Sequence, residues 1–222
     1  MFGFGRTFAT TFAPKSNKNV SNKVNSPQEA VSLVKSGESV FIHTAGATPK
    51  PLVQALADRG NELQDVIIYQ MHTEGPAPYL DSDAFKVKAL FIGSNIRSAV
   101  HDGRADFIPS FFSEVPYMFR SGVLPVDVAL IQVSPPDKHG FCSLGISVET
   151  TKAAVDVATK IIAQVNPKMP RTHGDGLLHI SKFDAFIEHE EEIPEMPQHT
   201  LSEAEKSIGQ YIAEVIEDGA TL

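Results

Sequence analysis

The chain has little cysteine: Cys142 stands alone among 222 residues. A single thiol excludes an internal disulfide and suits a reducing compartment. It has no surplus of basic charge either. The net charge of −8 argues against phosphate-backbone binding as the main task, because that needs clustered Lys and Arg. Nucleic acid is therefore not an expected partner. No apolar run approaches the ~20 residues that span a bilayer, so a membrane is not an expected partner. Acidic residues are missing before Glu29, which sets Met1–Gln28 apart from the rest.

That leader holds Arg6, Lys15, Lys18 and Lys23 among Ser, Thr, Phe and Asn. Its composition fits an organelle transit peptide or a plain disordered leader over residues 1–25. The first reading places the chain in the mitochondrion and the second in the cytoplasm. Gly3, Gly5 and Pro14 weaken any amphipathic helix there. The remainder, with 42% hydrophobic and 21% charged residues overall, has the composition of a globular chain long enough to bury a core without disulfides.

Regular structure is expected from Ser26-Pro27-Gln28-Glu29 onward. Ser26 can cap the free helix amides, Pro27 suits the first helical position and Glu29 completes a capping box. Strands are expected at Ser39–His43, Val66–Gln70, Lys88–Ile92, Asp106–Pro109, Val126–Ser134 and Lys160–Val165, with a further one at Phe183–Ile187. Helices are expected at Pro51–Arg59, Asn95–Asp102, Ser110–Arg120 and Val148–Thr159. Near-continuous apolar strands such as Val128-Ala-Leu-Ile131 imply burial on both faces. Strand–helix alternation then predicts an α/β fold with a mostly parallel open sheet and flanking helices over residues 26–187.

Residues 188–222 read differently. The acidic run Glu188–Glu192 and the prolines after it predict an exposed connector with a solvated acidic face. A last helix is expected from about Ser202 to Asp218, opened by a Ser202/Glu205 capping box and ended by Gly219. Ala220–Leu222 look like the start of a further strand, so the segment leads toward a second domain that these residues do not contain.

In a parallel sheet, ligands bind outside the carboxyl ends of the strands. That rule singles out Thr44, Gly46, Ala47, Thr48 and Pro49 after the first strand, and Gly93, Ser94 and Asn95 after the third. The first loop lacks a full Gly-rich phosphate fingerprint, so a plain βα turn stands beside the ligand reading. Ser94 or Asn95 can cap the following helix, and Arg97 can pair with a carboxylate or lie free on the surface. Glu74, beside His72, is placed either as a catalytic carboxylate or as a solvated loop residue. His139 and Cys142 suggest a nucleophile pair, against which stands a buried, inert thiol. His173, Asp175 and His179 match no zinc spacing, so no metal is expected. Arg171, His173 and Gly174 can instead line a polar pocket.

Several longer motifs go together. Phe91-Ile-Gly-Ser-Asn-Ile-Arg-Ser-Ala-Val100, Asp102–Pro109, Ser113-Glu-Val-Pro116, Val126–Gly140, Ser143-Leu-Gly145, Val165–Gly174 and Thr73–Pro78 resemble the amino-terminal domain of the acetyl-CoA hydrolase/transferase family, among the class I CoA-transferases. The resemblance covers roughly residues 26–222. It implies two similar α/β domains with the active site in the cleft between them, and assembly into a homo-oligomer when complete. It implies exchange of CoA between an acyl-CoA and a short-chain carboxylate such as acetate, succinate, propionate, butyrate or 4-hydroxybutyrate. Coenzyme A would be a substrate, and no permanently bound cofactor is implied.

The implied chemistry uses a glutamate of the second domain. It attacks the thioester carbonyl to give an acyl-glutamyl anhydride, and the CoA thiolate returns to make a glutamyl-CoA thioester. A carboxylate is already ionised at pH 7, so this nucleophile needs no base. In the family pattern the glutamate follows a His-Thr pair, after a Gly-Ile-Gly loop, and neither is found here. His72-Thr73-Glu74 echoes the glutamate motif but belongs to the first domain's own pattern. No catalytic residue is therefore assigned within these 222 residues, and the chain alone is expected to be inactive. Three readings follow: the first half of a CoA-transferase, a non-catalytic subunit or assembly module needing a separate second half, or an acetyl-CoA hydrolase, including a small independent one using Glu74 or Cys142.

Overall fold

The computed structural model describes residues 22–196 and 200–221. Its centre is a seven-stranded sheet. The strands are β1 (Ser39–Ile42), β2 (Val66–Gln70), β3 (Phe85–Ala89), β4 (Ala105–Phe107), β5 (Val128–Val133), β7 (Lys160–Val165) and β9 (Ala185–Glu188), with the short β6 (Phe141–Ser143) and β8 (Leu177–His179) outside the sheet. The order is β4-β3-β2-β1-β5-β7-β9, and each neighbouring pair is parallel. β6 and β8 form a separate antiparallel pair.

Two apolar layers sandwich the sheet. Val40, Ile42, Ile68, Val87, Leu130 and Ile162 face α1 (Pro27–Val31) and α2 (Lys50–Ala57). Phe41, Tyr69, Ala129, Ile131, Ala163 and Phe186 share the other core with residues of α4 (Val115–Arg120) and α5 (Glu149–Val157). The alternation of these faces explains why β1 and β5 are buried along their whole length. The short α3 (Arg97–His101) precedes the edge strand β4. At the amino ends of the strands, Asp127 accepts from both the amide and the hydroxyl of Ser39, each at 2.8 Å, locking β5 to β1.

Several expected elements are displaced. The third strand is Phe85–Ala89, not Lys88–Ile92. Phe85, Val87 and Ala89 face the core, so the alternating segment takes the strand, while Leu90–Ile92 belongs to the following loop. The expected helix at Ser110–Arg120 is a 3-10 turn at Phe112–Glu114 followed by α4, which begins where Pro116 fits the first turn. The last helix, α6 (Glu203–Glu214), opens at the Ser202/Glu205 capping box but ends before Gly219, its cap being Val215. Residues 220–221 hold no strand, and Leu222 lies outside the described residues. The leader expectation for residues 1–21 also lies outside them. Residues 22–25, counted there with the leader, run beside β9: Val24 N–H donates to Phe186 O and Phe186 N–H to Asn22 O, both at 2.9 Å.

Candidate functional site

The strand order reverses between β1 and β5, because β2–β4 build outward on one side and β7 and β9 on the other. The crevice at the carboxyl ends of these two strands is where an open α/β sheet binds ligand. Thr44–Pro49 leaves β1 at this point. Thr44, Ala47, Thr48 and Pro49 are buried, and Gly46 is half-buried. A β-carbon added at Gly46 would lie 2.9 Å from Ile146 Cδ1 and 3.1 Å from Pro194 Cγ, so glycine lets these two side chains approach the loop closely.

The loop is tied to its neighbours by buried polar contacts. Ala45, held at a φ of 49°, donates its amide to His72 O at 2.6 Å. Thr48 Oγ1 donates to Ala45 O at 2.7 Å and accepts the Glu74 amide at 3.0 Å. Thr44 Oγ1 donates to the Glu149 carboxylate and meets Ser147 Oγ at 2.9 Å. His43, fully buried at the end of β1, sets the other anchor. Its Nδ1 accepts the Gln132 amide at 3.1 Å, so Nε2 carries the proton and donates to Ser147 O at 2.7 Å. Burial lowers the imidazole pKa from 6.5 to about 4, which keeps the ring neutral.

The second predicted group behaves differently from expectation. Gly93 is buried, Ser94 is exposed and Asn95 is half-buried. Neither Ser94 nor Asn95 caps α3, whose cap residue is Ile96 with no side-chain bond. Asn95 Nδ2 instead donates to Thr73 O, Thr73 Oγ1 and Gly75 O at 3.1, 3.0 and 3.0 Å. The amide thus clamps the loop after β2, a use that keeps the loops after β1, β2 and β3 in one connected layer. Glu74 is exposed, with His72 Nε2 3.3 Å from its carboxylate. Arg97 lies exposed on the surface.

Arg171, His173 and Gly174 belong to a segment tied to the loop after β6, where Thr172 Oγ1 donates to Gly145 O at 2.9 Å. Arg171 donates to Phe141 O and to Asp137 Oδ2, both at 2.8 Å, closing the turn that precedes β6. The same turn is shaped by Asp137 Oδ1, which accepts from the amides of His139 and Phe141 at 2.8 and 3.0 Å; the Phe141 amide is the main cause of the lowered Asp137 pKa. His173 and Gly174 are exposed in the segment before β8. Among the described residues, no hydrogen bond joins these three to Thr44–Pro49. Cys142 is fully buried, and burial pushes its thiol up to about 12. That overturns the nucleophile reading, since the thiolate is the reactive species. Among the described residues, no group of three or more His, Cys, Asp or Glu gathers as a metal site.

The sequence reading missed a row of buried amides. Gln70, Gln132 and Gln164 stand at or next to the carboxyl ends of β2, β5 and β7, and Asn166 follows β7. Tyr79 donates to Gln70 Oε1, and burial raises its phenol pKa. Asn166 Nδ2 donates to Gln132 Oε1 at 2.6 Å and to Glu191 O at 2.7 Å. The signal was present: one Gln near the carboxyl end of each otherwise apolar strand.

Glu191 corrects the expectation of a wholly solvated acidic run. Glu188, His189, Glu190 and Glu192 are exposed, but Glu191 is half-buried, with one oxygen 2.9 Å from Lys50 Nζ and the other 3.3 Å from Gln164 Nε2. The connector therefore crosses the carboxyl ends of β7 and β1 before Pro194 reaches Gly46.

A seven-stranded parallel sheet whose strand order reverses between β1 and β5 defines the class as an open α/β domain. Residues 13–197 match the acetyl-CoA hydrolase/transferase N-terminal domain, and the chain belongs to that family. It is 46% identical over 198 residues to a succinyl-CoA:acetate/propanoyl-CoA:succinate CoA transferase of Fasciola hepatica, covering 87% of this chain and 41% of the relative. It is 43% identical over 204 residues to a 4-hydroxybutyrate coenzyme A transferase of Clostridium kluyveri, covering 90% and 47%. Among solved structures it resembles RipA from Yersinia pestis, at TM-score 0.78 and 30% identity, over 88% of this chain and 49% of that one. The 4-hydroxybutyrate CoA-transferase of Porphyromonas gingivalis gives TM-score 0.71 and 33% identity, over 90% and 47%. The chain thus spans about half the length of the curated relatives it matches.

Proposed function

We propose that this chain supplies the first wall of a CoA-transferase cleft, moving CoA between an acyl-CoA and a short-chain carboxylate. The observation that carries the reading is the family match over residues 13–197, joined to identities of 46% and 43% with two CoA transferases. In this reading residues 26–187 are the amino-terminal domain and 188–222 lead into a second one. The glutamate that forms the anhydride and then the CoA thioester comes from outside these 222 residues. Coenzyme A is a substrate.

The wall is assigned to Thr44–Pro49 and Gly93–Asn95. Their support is position: both follow strands at the sheet's carboxyl edge, where the crevice lies. Backbone amides held in place by buried side chains are suited to stabilising a developing oxyanion. Arg171, His173 and Gly174 are the weaker candidates: Arg171 holds the turn before β6, while its neighbour Thr172 donates to Gly145 O at 2.9 Å. A second reading, in which the chain is a subunit that works with a separately made second half, differs only in how that half is supplied; in either reading it would cover Ile208, Tyr211 and Ile212 of α6, which are 56–67% exposed.

The test is complementation. The purified chain is assayed for CoA transfer from succinyl-CoA to acetate, alone and with the separately expressed second half of the Fasciola relative. Activity only in the mixture supports the reading. Failure of every such mixture, in the presence of a stable complex, contradicts it.

A further inference from the structure

Glu191 is held by groups that suit a carboxylate independently of its place in the connector. Its backbone is anchored separately: Asn166 Nδ2 donates to its carbonyl at 2.7 Å and Asn166 Oδ1 accepts its amide at 3.2 Å. The side chain is thus an additional contact, placed against Lys50 Nζ at 2.9 Å and Gln164 Nε2 at 3.3 Å. Gln164 is fully buried, and its Oε1 has no hydrogen-bond partner among the described residues. The reverse amide orientation would aim that oxygen at a carboxylate oxygen, so the donor face is turned toward the anion. A buried amide with half its capacity unused is costly for a purely structural contact.

Lys50 is equipped to change partners. Its side chain is 39% exposed, and its Cδ and Cε each lie 3.6 Å from a β-carbon built at Gly75, whose φ of 89° favours glycine. The stem therefore runs beside the loop after β2, between that loop and the connector. A partly exposed ion pair of this kind contributes at most about 1 kcal/mol, so a competing anion can displace it.

We infer that Lys50 and Gln164 form a carboxylate-binding site, occupied in the free chain by the side chain of Glu191 as a tethered stand-in. The ligand class is a small monocarboxylate or one end of a dicarboxylate. The site deepens the functional reading above and rests on it for the claim that this carboxylate is a substrate. No covalent step is involved: one carboxylate replaces another against the same ammonium and amide. A tethered competitor acts at an effective concentration in the millimolar range, so its removal raises the apparent affinity for a free carboxylate.

Acetate is titrated into the wild-type chain, Glu191→Ala, Glu191→Gln and the double variant Glu191→Ala/Lys50→Met, followed by amide shifts at Lys50 and Gln164. Saturable binding is expected to tighten up to about sixfold in the Ala and Gln variants, the most that a tethered pair of that strength can withhold, and to vanish in the double variant. The inference is overturned by equal affinity in wild type and both single variants, by binding that survives Lys50→Met, or by chloride shifting the same amides as strongly as acetate. A negative titration leaves the complementation result untouched, and failed complementation leaves the titration untouched, so the two claims fall separately.

Discussion

His43 is a fully buried residue whose chemistry the surrounding chain dictates. The Gln132 amide on Nδ1 and the Ser147 carbonyl on Nε2 accommodate one neutral tautomer, and burial takes the pKa from 6.5 to about 4. Between those values the unfolded chain binds a proton that the folded chain does not, so stability rises with pH there and is lost as pH falls from 6.5 toward 4. The shift corresponds to roughly 3 kcal/mol. His43→Gln keeps a donor for Ser147 O but leaves the buried Gln132 amide unpaired, which costs about 1–3 kcal/mol at pH 7. Urea unfolding across pH is expected to show the gap between wild type and variant narrowing toward pH 4; a constant gap contradicts the assignment. Cys142 gives a simpler check. Its thiol is buried and pushed up to about 12, so iodoacetamide at pH 8 is expected to modify it only after unfolding. Rapid native labelling, read by mass spectrometry, would restore the nucleophile reading. The buried thiol is one of the two readings the sequence offers; the tautomer of His43 and the tether of the Thr44 loop were not legible, because partners 89–104 positions away decide them.

Elements were legible where local chemistry settles them. β2 and β7 match their expected bounds, and the Ser26 and Ser202 caps form as their side chains dictate. The helix α6 shows what such local chemistry is worth without packing. All of residues 200–221 are exposed, so α6 depends on its cap and propensity. Ser202→Ala is expected to cost that helix about 1 kcal/mol, seen as faster hydrogen exchange in residues 203–214, while the global urea midpoint stays put. A shift of the midpoint would mean that α6 belongs to the cooperative core. Within the folded body, tertiary contacts chose among locally equivalent options. Asn95 can cap a helix, but Thr73 and Gly75 offer acceptors that are already ordered. The β6–β8 pair joins two three-residue strands far apart in sequence, and three residues carry too little periodicity to read.

At the scale of the molecule, the carboxyl edge of the sheet carries the functional argument. The loops after β1, β2 and β3 form one polar layer, the buried amides of β5 and β7 continue it, and the connector lies over it through Glu191 and Pro194. Position on that edge was legible from strand–helix alternation; the amides were missed, although Gln70, Gln132 and Gln164 stand visibly near the ends of mainly apolar strands. The central claim is that this chain forms a wall of the cleft and does not supply the reacting carboxylate. The purified chain is incubated with succinyl-CoA and then examined by intact-mass and peptide mass spectrometry for covalently bound CoA. No adduct is expected on any glutamate of the chain alone, with an adduct appearing on the added second half when both are present. A glutamyl-CoA thioester on Glu74, or on any other residue of the isolated chain, would contradict the account.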